Sequence, residues 1–227
     1  MKFGSIQCIR GEEFIFLCGW TVSASPLVNS LTISMMTMSQ MYAPGSRVWK
    51  NNRCSMNIII WKTIIWQQFG AAIDMLDNAL RACPDELWCD RLVTWQDSTD
   101  EPGYMEFWDT VYHALFWLDL YLSGTREGFA PPAPFVAGSL PEKPYTKEEL
   151  QAYLQHCRQK CQATIAALTD EKASQWCKFP WVELSFAELQ LYNMRHVQEH
   201  ASQLSLFLGQ KVGSAPDWVT QAESRAA

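Results

Sequence analysis

Apolar residues recur every three or four positions along most of the chain after residue 56, which is the spacing of one face of a helix. The first such run covers 57–82 and ends before Pro84. The second covers 104–122 and ends at Ser123-Gly124, where the glycine is a common helix stop. These runs predict the first two amphipathic helices.

Helix-start signals mark two further helices. Thr146 precedes acidic residues and a long apolar run, so we expect the third helix to begin at this threonine. Ser185 and Glu188 have the spacing of a capping box at the start of the fourth helix, and Gly209 predicts its end. The link over 169–184 contains no strand pattern of any strength, and we predict a loop there.

Four amphipathic helices without a predicted strand indicate an all-α protein, a four-helix bundle. The link between the second and third helices, over 124–145, is rich in proline and cannot itself be helical. Its 22 residues can span at most about 70 Å, whereas a helix of about 19 residues is roughly 28 Å long. A long crossover is therefore allowed, and the second and third helices can run parallel.

Residues 1–55 do not share the helical pattern. They mix a short apolar stretch, Phe14–Trp20, with serine, threonine and methionine runs. A signal peptide is disfavoured because two glutamates directly precede this stretch. A membrane span is disfavoured because it needs about 20 apolar residues, and the stretch is much shorter. We expect a poorly ordered extension that results from a mis-assigned start, with Met56 as the true start. The bundle and a short C-terminal tail then cover 56–227.

Charge and cysteine usage narrow the partners and the compartment. The formal net charge is −6 and no stretch clusters lysine and arginine, so we expect neither nucleic acid nor a membrane as a partner. The chain has 8 cysteines but no CxxC spacing, which argues against the disulfide framework of a small secreted protein. Cys157 and Cys161 are expected to be reduced, buried thiols. We therefore expect a cytoplasmic protein.

Histidine placement supplies the candidate chemistry. His196 and His200 lie four residues apart on the inner face of the fourth helix, so both rings can reach one point. His113 lies midway along the second helix. If the two helices are antiparallel, His113 lies about 13 Å from their shared end, and His200 and His196 lie about 12 and 18 Å from it. The three imidazoles can therefore meet in the bundle core, where helical proteins assemble metal sites.

Three neutral imidazoles with no carboxylate are typical of a catalytic divalent metal site, because the ion keeps its full charge and at least one open coordination position. Zinc and nickel both suit these ligands, and ligand type does not separate them. The simpler alternative is that the histidines are satisfied core residues, since an HxxxH pair often arises by chance. His156 lies off the apolar stripe of the third helix and is expected at the surface.

Two residues of the fourth helix are candidate catalytic groups. Glu199 completes an HxxEH pattern, the inverted zincin motif, in which a glutamate acts as general base. That motif belongs with a downstream carboxylate ligand, and the fourth helix nearly ends the domain, so we do not favour a protease. Tyr192, one turn before His196, is a candidate proton handler or ring-orienting partner, and Asp109 has the same relation to His113. Either residue could instead cap a turn or line the core.

Several features occur in the order and spacing of a known family. They are a first helix with Trp66–Phe69 (Trp-Gln-Gln-Phe), a second helix with the single His113, a long proline-bearing crossover, and a last helix with His196-xxx-His200-xx-Gln203-Leu204. In these features residues 57–209 resemble the DinB/YfiT-like superfamily. The resemblance implies a four-helix bundle with up-down-down-up topology, zinc or nickel bound by the three histidines, and a homodimer.

The resemblance also implies chemistry, although the reactions of the family vary. Characterised relatives include transferases and isomerases that use low-molecular-weight thiols such as mycothiol or bacillithiol. Our first hypothesis is a metal-dependent enzyme, a thiol S-transferase or a hydrolase. Its metal activates a low-molecular-weight thiol or water for attack on a small electrophilic substrate, with Glu199 or Tyr192 handling the proton. The alternative is a non-catalytic, stress-associated bundle that binds a small molecule or mediates dimerisation.

Overall fold

The computed structural model describes residues 58–92, 105–137 and 141–222. The expectations for residues 1–55 and for a start at Met56 lie outside these residues. Within the described ranges the chain forms five α-helices, a 3-10 turn and a two-stranded hairpin. In chain order these are α1 (Ile58–Ala82), the turn (Asp85–Leu87), α2 (Phe107–Ser123), α3 (Lys147–Ala166), α4 (Asp170–Ser174), β1 (Trp176–Phe179), β2 (Val182–Ser185) and α5 (Phe186–Val212).

The four long helices, α1, α2, α3 and α5, form the four-helix bundle that the sequence predicts. Each of α1 and α2 packs against both α3 and α5, so the apolar stripes of all four helices meet in one core. Large side chains in this core are almost completely buried, among them Phe69, Leu76, Trp108, Leu115, Tyr153 and Leu204. In the described part of the chain, no helix has both the length and the hydropathy to cross a membrane.

Contacts at both ends show that α2 and α3 run in the same direction. The Trp108 ring, at the start of α2, lies 6.0 Å from the Tyr145 ring, just before α3. Lys160 in the later part of α3 donates to Ser123 Oγ at the end of α2, at 2.8 Å. The chain between the two helices must therefore return along the length of the bundle.

Helices α1 and α3 run in opposite directions. Lys62 near the start of α1 donates to Ala166 O at the end of α3, and Lys147 at the start of α3 donates to Cys83 O just after α1. The pairwise directions are compatible with the up-down-down-up order, which stays a prediction for the bundle as a whole.

The predicted helix starts and one predicted stop are confirmed. Thr146 and Ser185 each accept the backbone N–H of the residue three positions on. The Glu149 and Glu188 side chains in turn accept the backbone N–H of the cap residue, so α3 and α5 both begin with a complete capping box. Gly124 ends α2 with a φ of 75°, in the left-handed region where glycine is favoured.

The end of α5 differs from the prediction. Gly209 does not stop the helix, which continues beyond it and ends at Gly213 with a φ of 77°. A glycine inside a helix costs about 1 kcal/mol relative to alanine, which the last turn of α5 tolerates. In that turn Lys211 forms an ion pair with Asp90 at 3.0 Å and lies over the Phe207 ring.

The link over 169–184 is not a loop, and the prediction that it contains no strand is wrong. β1 and β2 pair antiparallel, with Trp176 opposite Ser185 and Phe179 opposite Val182. Strands this short give too few positions for an alternation to stand out in a sequence. Burial explains why they form, because every second side chain of β1 faces a small apolar cluster that also includes residues of α2 and α5.

A partly buried carboxyl group in the first turn of α2 caps the turn that precedes this helix. Met105 has a φ of 54°, which is unusual for a residue with a side chain, and its N–H donates to Asp109 Oδ2 at 2.9 Å. The pKa of Asp109 is raised to about 7, mainly because burial removes water from the carboxylate, and Glu106 adds to the rise through its charge. The observed contact is that of a turn cap, one of the alternatives for Asp109.

The C-terminal tail packs against α1. Ala222 N–H donates to Gln67 O at 2.9 Å, and Val219 packs against the bundle core. Gly70 permits this contact, because a Cβ at that position would lie 2.5 Å from the Cβ of Ala222. A side chain at position 70 and the observed position of the tail therefore exclude each other.

We expect Gly70→Ala to release the tail. The added methyl group displaces Ala222, whose N–H then loses its bond, so hydrogen exchange at Ala222 and proteolysis within 213–222 should become faster. Gly209→Ala is the matched control, since its Cβ would meet Ala215 Cβ at an ordinary 3.6 Å. The control should stabilise α5 by up to about 1 kcal/mol and leave the tail in place. Unchanged exchange at Ala222 in Gly70→Ala would contradict the packing.

We expect Asp109→Asn to stabilise the protein in a pH-dependent way. The folded-state pKa of about 7 lies above the ordinary 3.8, so between these values the folded protein holds a proton that the unfolded chain lacks. Stability therefore falls as pH rises through this window, and asparagine removes that loss. Urea unfolding should show the variant more stable than wild type at pH 8, with the difference shrinking toward pH 4.

The exposed Asp217 offers a control for this effect. Asp217→Asn should change stability little at pH 4 and at pH 8, because this side chain is exposed. A stability difference for Asp109→Asn that is the same at pH 4 and pH 8 would argue against a buried, protonated carboxyl group.

Candidate metal centre

Three imidazoles converge between α2 and α5. His196 Nε2 lies 3.3 Å from His113 Nε2 and 3.1 Å from His200 Nε2. The ligand atoms of the three residues all lie within 4.8 Å of one another. The structure thus brings together the three histidines that the sequence nominates.

The antiparallel packing of α2 on α5 brings the three histidine rings together. Successive hydrogen bonds and ring contacts along the interface pair His113 with His196, Leu118 with Asn193, and Tyr121 with Gln190. Each step forward on α2 is a step back on α5. The Asn193 and Gln190 side chains donate to backbone carbonyls of α2, so the two helices cannot slip past each other without losing these bonds.

The spacing of the donor atoms fits a divalent ion. Zinc binds imidazole nitrogen at about 2.0 to 2.1 Å, so two such nitrogens on a tetrahedral ion lie about 3.3 Å apart. The two Nε2 separations of 3.3 and 3.1 Å are close to that value. Three nitrogen ligands leave a fourth position for water or substrate, which is the arrangement of catalytic rather than structural sites.

The electrostatics keep the three rings uncharged. Burial lowers the pKa of His113 well below its ordinary value, and the neighbouring imidazoles lower it further. The pKa of His196 falls to about 3 through burial and the proximity of His200. Burial also lowers the pKa of His200, against opposing effects of Gln203 and Glu199. At neutral pH all three rings therefore carry a nitrogen lone pair that a metal can use.

Gln203 fixes the tautomer of one ring. His200 Nδ1 lies 2.8 Å from Gln203 Oε1. An amide oxygen only accepts, so Nδ1 carries the hydrogen and Nε2 presents its lone pair to the other two histidines. The sequence alone predicts no role for Gln203. The signal was its position three residues after a histidine on the same helix.

An aromatic wall of Trp117, Tyr121 and Trp181 borders the cluster. Trp117 lies 6.1 Å from the His113 ring and Tyr121 lies 6.5 Å from the His196 ring. Trp181, in the turn of the hairpin, contacts the Trp117 ring at 5.2 Å and donates its indole N–H to Tyr121 Oη at 3.1 Å. Because the sequence predicts no hairpin, it gives no indication that Trp181 lies near the histidines.

Glu199 and Tyr192 flank the cluster from different sides. Glu199 is exposed and lines a shallow surface groove together with Arg195 and Trp218. Its charge still acts on His200, whose pKa it raises. Tyr192 is half-buried, and its ring lies 5.5 Å from the Tyr121 ring.

The remaining histidine and the described cysteines lie outside the cluster. His156 is exposed, as predicted, and its Nε2 lies 3.7 Å from a carboxylate oxygen of Asp119. Cys157 and Cys161 are buried free thiols, which confirms the expectation for this pair. Burial raises the pKa of both thiols, so neither is a ready thiolate at neutral pH.

Comparisons with known proteins show what the chain is similar to. A family model described as the DinB superfamily matches residues 68–204, a span that contains all three clustered histidines. A DinB-like protein from Bacillus subtilis, known from its crystal structure, shares 14% sequence identity with the chain. That comparison has a TM-score of 0.48 and covers 69% of this chain and 98% of the other. No curated protein matches the chain. By the family model, the chain belongs to the DinB superfamily.

Proposed function

We propose that this protein is a metal-dependent enzyme in which His113, His196 and His200 hold a divalent ion, zinc or nickel. An activated low-molecular-weight thiol or water attacks a small electrophilic substrate. The observation that carries the proposal is that His196 Nε2 lies 3.3 Å from His113 Nε2 and 3.1 Å from His200 Nε2, on three rings whose pKa values are all lowered.

The ligand set determines the kind of chemistry. A divalent ion held by uncharged imidazoles would lower the pKa of a thiol or water and favour its nucleophilic form. His113, His196 and His200 contribute no negative charge, so they do not offset the charge of the ion. Gln203 keeps the His200 ring in the required tautomer. The aromatic wall limits water on one side of the cluster and favours substrates with an apolar part.

The proton released by the nucleophile needs an acceptor, and two residues are candidates. Glu199 is exposed and lies close enough to His200 to raise the pKa of that ring. Tyr192 reaches the cluster through Tyr121, which lies next to His196. In thiol transfer the sulfur forms a bond to the electrophilic carbon as the leaving group departs, and in hydrolysis the oxygen of water takes that place.

Metal binding gives the first prediction from this proposal. Added zinc or nickel should stabilise the wild-type protein by about 3 kcal/mol at a hundredfold excess over the dissociation constant, a rise in melting temperature of about 5 to 10 °C. Alanine in place of His113, His196 or His200 should abolish this rise. His156→Ala is the matched control, because His156 is an exposed histidine outside the cluster, and it should keep the full response.

Elemental analysis is the complementary measurement. Protein purified without chelator should contain close to one equivalent of a transition metal. Less than about a tenth of an equivalent, together with a melting temperature that does not respond to either metal, would reject the proposal in favour of a non-catalytic bundle.

Catalysis gives the second prediction. The metal-loaded protein should consume a small electrophile in the presence of at least one cellular thiol, or of water alone, and His200→Ala should lower that rate at least a hundredfold. The screen should pair several thiols with alkyl, aryl and acyl electrophiles and use His156→Ala as the positive control. Tight metal binding without turnover of any pair would favour the small-molecule-binding alternative.

A further inference from the structure

Two carboxamide side chains of α5, which precede the histidines on this helix, are hydrogen-bonded to the backbone of α2. Asn193 Nδ2 donates to Leu118 O at 3.1 Å, and Gln190 Nε2 donates to Tyr121 O at 3.0 Å. Both side chains are almost completely buried. A backbone carbonyl only accepts, so the NH₂ group of each amide must face α2 and its oxygen must face another direction.

The oxygen atoms of both amides lack a hydrogen-bond partner in the described part of the chain. Asn193 Oδ1 and Gln190 Oε1 are buried and have no hydrogen-bond partner among the described residues. The same holds for one nitrogen of the cluster, His196 Nδ1. Leaving a buried polar atom without a partner costs about 1 to 3 kcal/mol, so an unpaired donor and an unpaired acceptor that lie near each other on α5 need an explanation.

The role of His196 in the cluster decides which form its unpaired nitrogen takes. Its Nε2 lies between the Nε2 atoms of His113 and His200. A ring that offers the Nε2 lone pair to a metal carries its hydrogen on Nδ1, so His196 Nδ1 becomes a buried donor. The donor needs an acceptor, and Asn193 Oδ1 is a buried acceptor without a donor.

Helix geometry places Asn193 within reach of His196. Residues three apart on a helix are neighbours, with Cβ atoms about 5 to 6 Å apart. Gln190 lies six residues from His196, about 9 Å along the axis, and is too distant for the same contact. The same spacing of three residues already occurs in α5, because Gln203, three residues after His200, is hydrogen-bonded to the His200 ring.

We propose that Asn193 is the positioning residue of His196: its Oδ1 accepts the Nδ1–H of His196, directly or through one water, when the three histidines engage a divalent ion. The proposal rests on the proposed metal site. Two carboxamides, Asn193 and Gln203, thereby orient the two histidines of α5. Partners of this kind typically change metal affinity by 10- to 100-fold.

Zinc competition titration on three variants tests the assignment. Asn193→Leu should weaken zinc binding 10- to 100-fold, as Gln203→Leu should. Gln190→Leu is the matched control, because it removes the same kind of buried amide bonded to the same helix. It should lose a similar amount of metal-free stability and leave zinc affinity unchanged. Equal losses of affinity in Asn193→Leu and Gln190→Leu would overturn the proposal and indicate general loosening of the interface.

Nitrogen NMR of the imidazoles supplies a readout that a packing role would not move. The zinc-loaded wild-type protein should show a slowly exchanging His196 Nδ1–H, and this signal should shift or vanish in Asn193→Leu while remaining in Gln190→Leu. Asn193→Asp keeps an acceptor for His196 but loses the donor to Leu118 O, so it should be less stable than wild type while its zinc affinity stays within about tenfold of wild type. It serves where the leucine variant does not fold. A His196 Nδ1–H unaffected in Asn193→Leu, or zinc affinity more than tenfold weaker than wild type in folded Asn193→Asp, would overturn the assignment.

The failure of this inference differs from the failure of the proposed function. Wild-type protein that binds no zinc rejects the metal site, and the assignment of Asn193 falls with it. Wild-type protein that binds zinc, with Asn193→Leu binding equally well, rejects the role of Asn193 alone.

Discussion

Three uncharged imidazoles held together across the α2–α5 interface are the constraint on which the rest of the structure depends. An imidazole that titrates near neutrality would repel its neighbours once protonated, and burial prevents this by lowering the pKa of each ring. Such a cluster is useful only at fixed spacing. The antiparallel packing of α2 on α5 supplies that spacing.

Elements outside the interface support the same geometry. The capping box at Ser185 sets where α5 begins, and the hairpin directly before it brings Trp181 against Trp117 and Tyr121. The cluster therefore lies beside the aromatic wall and on the same interface as the buried amides of Asn193 and Gln190. A site of this kind is preorganised, because the ligands need little rearrangement before they can act on an ion.

The sequence was sufficient for the parts of the site that depend on helix periodicity. Matching the depths of His113, His196 and His200 on two amphipathic helices predicts that they meet, and they do. Periodicity says nothing about short strands, so Trp181 had no predicted place near the cluster. It also says nothing about which way a half-buried side chain turns. Glu199 lies in a surface groove, and the role of Gln203 depends on one bond to His200.

The most direct test of the metal centre is anomalous diffraction from crystals grown with zinc and measured on both sides of the zinc absorption edge. A zinc ion bound as proposed gives one strong peak about 2.0 to 2.1 Å from Nε2 of His113, His196 and His200. A peak bound elsewhere on the chain, or full zinc occupancy that leaves these three nitrogens uncoordinated, would contradict the proposed centre.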